Sequence, residues 1–255
     1  MLHAIAQGKS KIYRRYIGQK DEKDEQRVTA EDEITALILG PLKFLTPAER
    51  AGFWYHLLVR LGAKELPNQQ PTDAQMILWK RFHGLNRRVE PDLMVYLTYP
   101  NGQQIAVIVE LKWRSPLSGR DQLHRQWAHC LSSDEQESGF HLFIGLETSA
   151  ASAAVASEYS NPWRGRLLIA DWASIKQMLH SGVFTTTEGR DWAESTCIVL
   201  NKLGIRAFAG FLSLPSVSIP NLSGQSVFWQ GLIGWNHLKF QDIPADQSPV
   251  FFSSP

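Results

Sequence analysis

The stretch EPDLMVYLTYPNGQQIAVIVELKW, residues 90–113, decides the fold. Two apolar runs, residues 93–99 and 105–111, flank Pro100-Asn101-Gly102. That triplet suits a three-residue hairpin loop, with proline at the first type I position and glycine in the left-handed conformation that makes a bulge. The loop pairs Tyr99 with Gln103, and counting outward along the antiparallel ladder sets Asp92 opposite Glu110, on the same face as Lys112. The other face takes Leu93, Val95, Leu97, Ile105, Val107, Val109 and Leu111, an apolar set that fixes the register against a core. A two-residue Asn-Gly loop would set Asp92 across from Leu111 and divide the acids between faces, but Pro100 is better placed inside the turn than at a strand end.

Two carboxylates a hydrogen-bond span apart repel, and each tends to hold a proton unless a cation sits between them. Oxygen ligands from Asp92, Glu110 and the Leu111 carbonyl, completed by water, suit Mg²⁺ or Mn²⁺. Such an ion polarises a phosphoryl oxygen and generates hydroxide, while Lys112 positions the attacking water or stabilises its charge. The same residues also admit a plainer reading, a strand-end salt bridge between Glu110 and Lys112.

Upstream, Thr29 with Asp32 three residues on opens TAEDEITALILGPL, where Ile34, Leu37, Ile38 and Leu42 recur at helical spacing. Residues 47–61 and 72–82 read as two further helices. Downstream the order is a helix (118–130), a strand (141–146), a small-residue helix (150–158), a strand (166–170), and helices over 172–180 and 192–203. The expected class is therefore α/β. Three segments are expected: a basic and mixed-charge arm (1–28), the α/β domain (29–185), and a C-terminal helix followed by an irregular docking extension (186–255).

Asp92 after a proline, Glu110-Leu111-Lys112 closing an apolar strand, and the helix-strand-strand-helix-strand order resemble the PD-(D/E)xK nuclease superfamily. The resemblance spans residues 29–180 and is strongest over 91–112. It implies a restriction-endonuclease-like core, a central mixed sheet flanked by helices. It further implies that Asp92 and Glu110 bind Mg²⁺, that Lys112 assists the nucleophilic water, and that a glutamate on the preceding helix completes the site. Glu31 is the matching residue, because it lies within about 60° of Ile34, Thr35 and Ile38 on a helical wheel and borders the inward face, whereas Glu33 aligns with Leu37. Many superfamily members add a glutamine on the next helix; Gln122 and Gln126 are available one turn apart, and Gln122 lies nearer the site.

The chain has 255 residues, 44% hydrophobic and 20% charged, a composition that supports a folded core and excludes disordered or fibrous classes. Its 26 basic and 25 acidic residues net +1, so no global field draws in DNA and any binding surface must be local. Arg114, Arg120 and Arg125, which follow Lys112, are the expected surface, with Arg87, Arg88, His124, Trp113 and Trp127 nearby. Cys130 and Cys197 lack metal-type neighbours, so a reducing, cytoplasmic setting is expected; the longest apolar runs fall short of a membrane span. With no GxxxxGK[ST] loop, any ATP-driven motor must be a partner, a separate ATPase or defence-system subunit, and a second copy of the chain is a further partner reading. The expectation is a metal-dependent DNA endonuclease of prokaryotic restriction, anti-phage defence or DNA processing. The alternative is a non-catalytic nuclease-fold module that docks a protein or nucleic acid.

Overall fold

The computed structural model describes Leu2, Ile5, Arg14 and residues 30–83, 88–119, 121–156 and 161–206. Helix α1 (Ala30–Ile38) runs into a 3-10 turn (Gly40–Phe44) and is followed by α2 (Pro47–Arg60), which Thr46 caps by accepting from Glu49 N. Then come β1 (Asp73–Leu78), the short pair β2 (Phe82–His83) and β3 (Arg88–Val89), and the hairpin β4 (Leu93–Thr98) and β5 (Gln104–Lys112). The chain continues with α3 (Gln122–Cys130), α4 (Ser133–Ser138), β6 (Phe140–Gly145), α5 (Ser149–Ala156), β7 (Leu167–Asp171), α6 (Trp172–His180) and α7 (Thr187–Lys202).

The hairpin turn sets everything beside it. Tyr99 N donates to Gln103 O at 2.9 Å, Gly102 N donates to Tyr99 O at 2.9 Å, and Gly102 has φ +83°. That is the left-handed conformation only glycine adopts without strain. The pairing runs from Thr98 with Gln104 to Leu93 with Val109, and continuing it by one residue brings Asp92 across from Glu110. On its other side β5 pairs in parallel with β6, and β6 in parallel with β7, so the sheet is mixed, in the order β1-β4-β5-β6-β7.

Residues 72–82 do not form the expected helix. Within them β1 lies antiparallel to β4, from Asp73 against Thr98 to Leu78 against Leu93. Its first residues alternate, with Ala74 and Met76 buried and Gln75 exposed, a period of two that a six-residue window also permits to be read as a helix. The otherwise unpaired edge of β4 decides the matter, because its N–H and C=O groups need a partner. Helix α4 was not anticipated either, although Ser132 and Glu135 form a reciprocal capping box at its start. Helix α7 begins five residues earlier than expected, where the Thr186 side chain accepts from Gly189 N.

One face of the sheet packs on α1, α2, α6 and α7 through residues including Ile38, Trp54, Trp172 and Leu200; Leu2 and Ile5 are buried in the same cluster. The opposite face packs on α3 and α5 through Leu123, Trp127, Phe143, Ala151 and Trp163. The molecule is thus α/β, with a five-stranded mixed sheet flanked by helices. The chain divides into two units, Met1–Phe208 and Ala209–Pro255. The part of the expected C-terminal segment (186–255) from residue 207 onward, most of the expected arm over 1–28, Arg87 and Arg120 lie outside the described residues, as does the side chain of Arg88. Among the described residues no helix is long and apolar enough to cross a membrane.

Candidate functional site

Where β4 is about to begin and β5 is ending, the polar residues of the hairpin meet two helices. Asp92 stands one residue before β4, and its Oδ2 accepts the Leu111 N–H at 2.7 Å. Two residues apart on β5, Glu110 and Lys112 point to one face, and the Lys112 ammonium lies 2.8 Å from Glu110 Oε1. The first turn of α1 brings Glu31 to the same place: its Oε2 is 3.2 Å from Lys112 Nζ, and its Oε1 accepts from Trp113 N at 3.0 Å and from the Ser115 hydroxyl. Glu31 thereby ties α1 to the residues that follow β5.

From α3, Gln122 Nε2 donates to Glu110 Oε1 at 2.6 Å and Gln126 Nε2 donates to Glu110 Oε2 at 2.5 Å. Ser118 N donates to Gln122 Oε1 at 2.7 Å, so the orientation of that amide is fixed from its far side. Glu110, only 2% exposed, is therefore a buried carboxylate held by two amides and one ammonium. A buried charge is tolerable only with such partners.

The electrostatics are tilted toward the acids. Burial pushes the Asp92 carboxyl well above the usual range, and the neighbouring Glu110 charge adds to it, against the Leu111 N–H and Lys112. Burial likewise raises Glu110, opposed by Lys112 and by the hydrogen bond from Gln126. For Lys112, burial acts to lower the pKa, but the Glu110 carboxylate, with Glu31 and Asp92, outweighs it and the net shift is upward. Three carboxylates share one ammonium here, so a proton or a second cation would relieve the mutual repulsion.

The structure thus brings together Glu31, Asp92, Glu110, Leu111, Lys112 and Gln122. It also adds residues that were weighed less or passed over. Gln126 mirrors Gln122 on the second oxygen of Glu110, and the helical spacing of four that relates them was the available signal. His141 on β6 and Trp163, before β7, stand behind Gln126: His141 Nε2 is 3.1 Å from Gln126 Oε1, and Trp163 Nε1 donates to His141 Nδ1 at 3.1 Å. Nothing in their spacing announces that contact. Trp79 also borders the site, with its N–H on Asp92 O at 3.1 Å, its indole on Asp32 at 3.1 Å and an unusual φ of +51°.

The arginines divide. Arg114 is exposed directly after the site, whereas Arg125 is partly buried and paired with Asp121 at 3.0 Å. Both cysteines are buried, and burial pushes Cys130 up to about 12 and Cys197 up to about 11, which leaves no thiolate nucleophile near neutral pH.

A hard divalent ion suits the chemistry of Asp92, Glu110 and the Leu111 carbonyl, all oxygen donors with an excess of negative charge. As the side chains stand, however, no group of three His, Cys, Asp or Glu among the described residues is arranged to hold an ion, and the Lys112 ammonium occupies the space between Glu31 and Glu110. No protein-family model, curated protein or solved structure matches the chain.

Proposed function

We propose that the chain is a divalent-metal-dependent DNA endonuclease of the PD-(D/E)xK, restriction-endonuclease-like type. The observation that carries this reading is that five polar residues meet at one end of the hairpin: Lys112 and Gln122 on the buried Glu110 carboxylate, Glu31 on the Lys112 ammonium, and Asp92 on the Leu111 N–H beside them. The mixed order β1-β4-β5-β6-β7, with the site where the antiparallel hairpin adjoins the parallel strands, supports it.

In this mechanism Asp92, Glu110 and the Leu111 carbonyl would hold Mg²⁺ or Mn²⁺, with Glu31 beside them, and a cation bound there would supply polarisation of a phosphoryl oxygen and a lowered pKa for the attacking water. The attacking water gives its proton to bulk water, Lys112 orients it and offsets the charge that builds as the new P–O bond forms and the ester P–O bond breaks, and the departing oxygen takes a proton from water. Glu31 fixes the direction of the Lys112 ammonium, and Gln122 fixes the Glu110 carboxylate through the Ser118 N–H. DNA contacts fall to Arg114 and Arg125, with Arg120. The setting is a cytoplasmic restriction, anti-phage or DNA-processing system, in which a separate ATPase or a second copy of the chain would supply what this one lacks.

A second reading has its own observation: Lys112 pairs with Glu31 and Glu110 at once, the arrangement of a structural ion-pair cluster in a non-catalytic interaction module. Incubating the full chain with plasmid DNA in Mg²⁺, Mn²⁺ or EDTA separates the two. Cleavage that needs the metal supports the nuclease, and intact plasmid in all three favours the module.

A further inference from the structure

A hydrogen-bonded chain leads from the core to Glu110. Trp163 Nε1 donates to His141 Nδ1 at 3.1 Å, His141 Nε2 meets Gln126 Oε1 at 3.1 Å, and Gln126 Nε2 donates to Glu110 Oε2 at 2.5 Å. Its two ends have fixed roles, since an indole N–H can only donate and a carboxylate can only accept. The two middle groups are each ambiguous alone: a neutral imidazole has two tautomers and an amide has two orientations. Only one of the four combinations makes all three bonds. With the proton on Nδ1, two N–H groups would face each other at Trp163. The lone pair on Nε2 would then demand a reversed amide, whose carbonyl oxygen would abut the Glu110 carboxylate.

We infer that His141 is a positioning residue for Glu110: Trp163 holds its imidazole in the Nε2–H form, which turns the Gln126 amide N–H toward the carboxylate. The inference rests on reading Glu110 as a site residue. The links are shielded from bulk water, because His141 and Trp163 are 0% exposed and Gln126 is 2% exposed. Nor can the ring swing freely, since Trp127 stacks on it with rings 8° from parallel and Trp163 packs at 53°. Burial, with the nearby His124, lowers the imidazole to about 3, which favours the neutral ring near neutral pH. Partners of this indirect kind around a metal-type site are commonly worth about 10- to 100-fold in activity.

The variant Trp163→Phe keeps an aromatic ring, smaller than the indole, and removes the one N–H that selects the tautomer. Nitrogen-15 NMR of the imidazole in the full chain, without metal or DNA, is expected to show a single Nε2–H tautomer in the wild type and a mixture in the variant. The side-chain amide resonances of Gln126 are expected to shift with it. A wild-type Nδ1–H tautomer overturns the inference whether or not Trp163→Phe folds, and so do Gln126 resonances that the variant leaves unmoved. In the Mg²⁺ cleavage assay Trp163→Phe and Gln126→Leu should each lower kcat about tenfold with KM unchanged, and the double variant should lose little more. A wild-type kcat in Trp163→Phe overturns the positioning role. Absence of cleavage by the wild type strikes instead at the nuclease reading, and the NMR result then decides the inference by itself.

Discussion

The two faces of β5 are buried to nearly the same degree by opposite means. Its odd-numbered face, Ile105, Val107, Val109 and Leu111, is met by the apolar residues of α1, α2, α6 and α7. The even-numbered face begins in the same way with Ala106 and Ile108, then changes to Glu110 and Lys112, 2% and 8% exposed. Apolar burial is non-directional and asks only for volume. A buried carboxylate and ammonium instead need donors and acceptors at set angles, and Gln122, Gln126 and Glu31 provide them. One face can therefore be altered only at the expense of the fold, while the other can be altered at the expense of chemistry.

The largest expected effect breaks the first half of that contrast. Val107→Asp places an unpaired charge in the apolar layer, which costs several kcal/mol, about 4 or more, and should leave the chain unfolded by circular dichroism. Glu110→Gln is nearly isosteric and should remain folded while metal-dependent cleavage falls about a thousandfold, as should Asp92→Asn and Lys112→Met. A folded, stable Val107→Asp or an active Glu110→Gln would dissolve the distinction between the faces.

A smaller effect tests cation binding without any reaction. Saturating Mg²⁺ or Mn²⁺ should raise the melting temperature of the wild type by several degrees, because a ligand that binds only the folded chain stabilises it; at about 100 times Kd this is about 2.7 kcal/mol. Asp92→Asn should lose the shift. An equal shift in wild type and Asp92→Asn would place the ion elsewhere.

Next in size is the pH response of the polar face. Burial, with His124 nearby, pushes the folded His141 imidazole down to about 3 from an ordinary 6.5. Between those values the unfolded chain binds a proton that the folded chain refuses, so its contribution is fully present above pH 6.5 and is lost as pH falls toward 3. From pH 6.5 down to pH 5 the loss is about 2 kcal/mol. The raised Asp92 and Glu110 act in the opposite sense, since a raised acid stabilises most at low pH and loses that contribution as pH rises. Comparing chemical denaturation of the wild type with His141→Phe at pH 7 and pH 5 isolates the histidine: the variant is less stable throughout, with a shallower slope. An identical slope would mean that His141 is protonated in the fold.

The contrast between the faces also explains what could be read in the sequence. The odd face and the turn were legible because period-two hydrophobicity and Pro100-Asn101-Gly102 are local, and together they fixed the pairing of Tyr99 with Gln103 and the direction of Glu110 and Lys112. Glu31 was legible through the helical wheel, since the side of α1 it borders faces the core. In contrast, β1 was not, because six residues over Asp73–Leu78 carry too little pattern and the free edge of β4, a tertiary fact, makes them a strand. His141 and Trp163 were hidden for a related reason: parallel pairing of β6 with β5 and the packing of α3 join residues that sequence spacing leaves unrelated.

The smallest effect concerns the chain just beyond the polar face, where Arg114 and Arg125 are not equivalent. Arg114 is exposed, with φ +60°, immediately after Trp113, whereas Arg125 is partly buried and already paired with Asp121 at 3.0 Å. A guanidinium committed to a carboxylate releases fewer counterions on meeting a phosphate than a free one does. Arg114→Glu should therefore weaken DNA affinity at low salt and flatten its logarithmic dependence on salt by roughly 1, the share of one phosphate contact. Arg125→Glu should change that slope less, and cleavage at saturating DNA should survive in both. Affinity measured against salt concentration for the two variants checks the order. An unchanged slope in Arg114→Glu would remove the residues after β5 from the DNA surface, and a larger effect at Arg125 would mean that the ion pair with Asp121 opens when DNA binds.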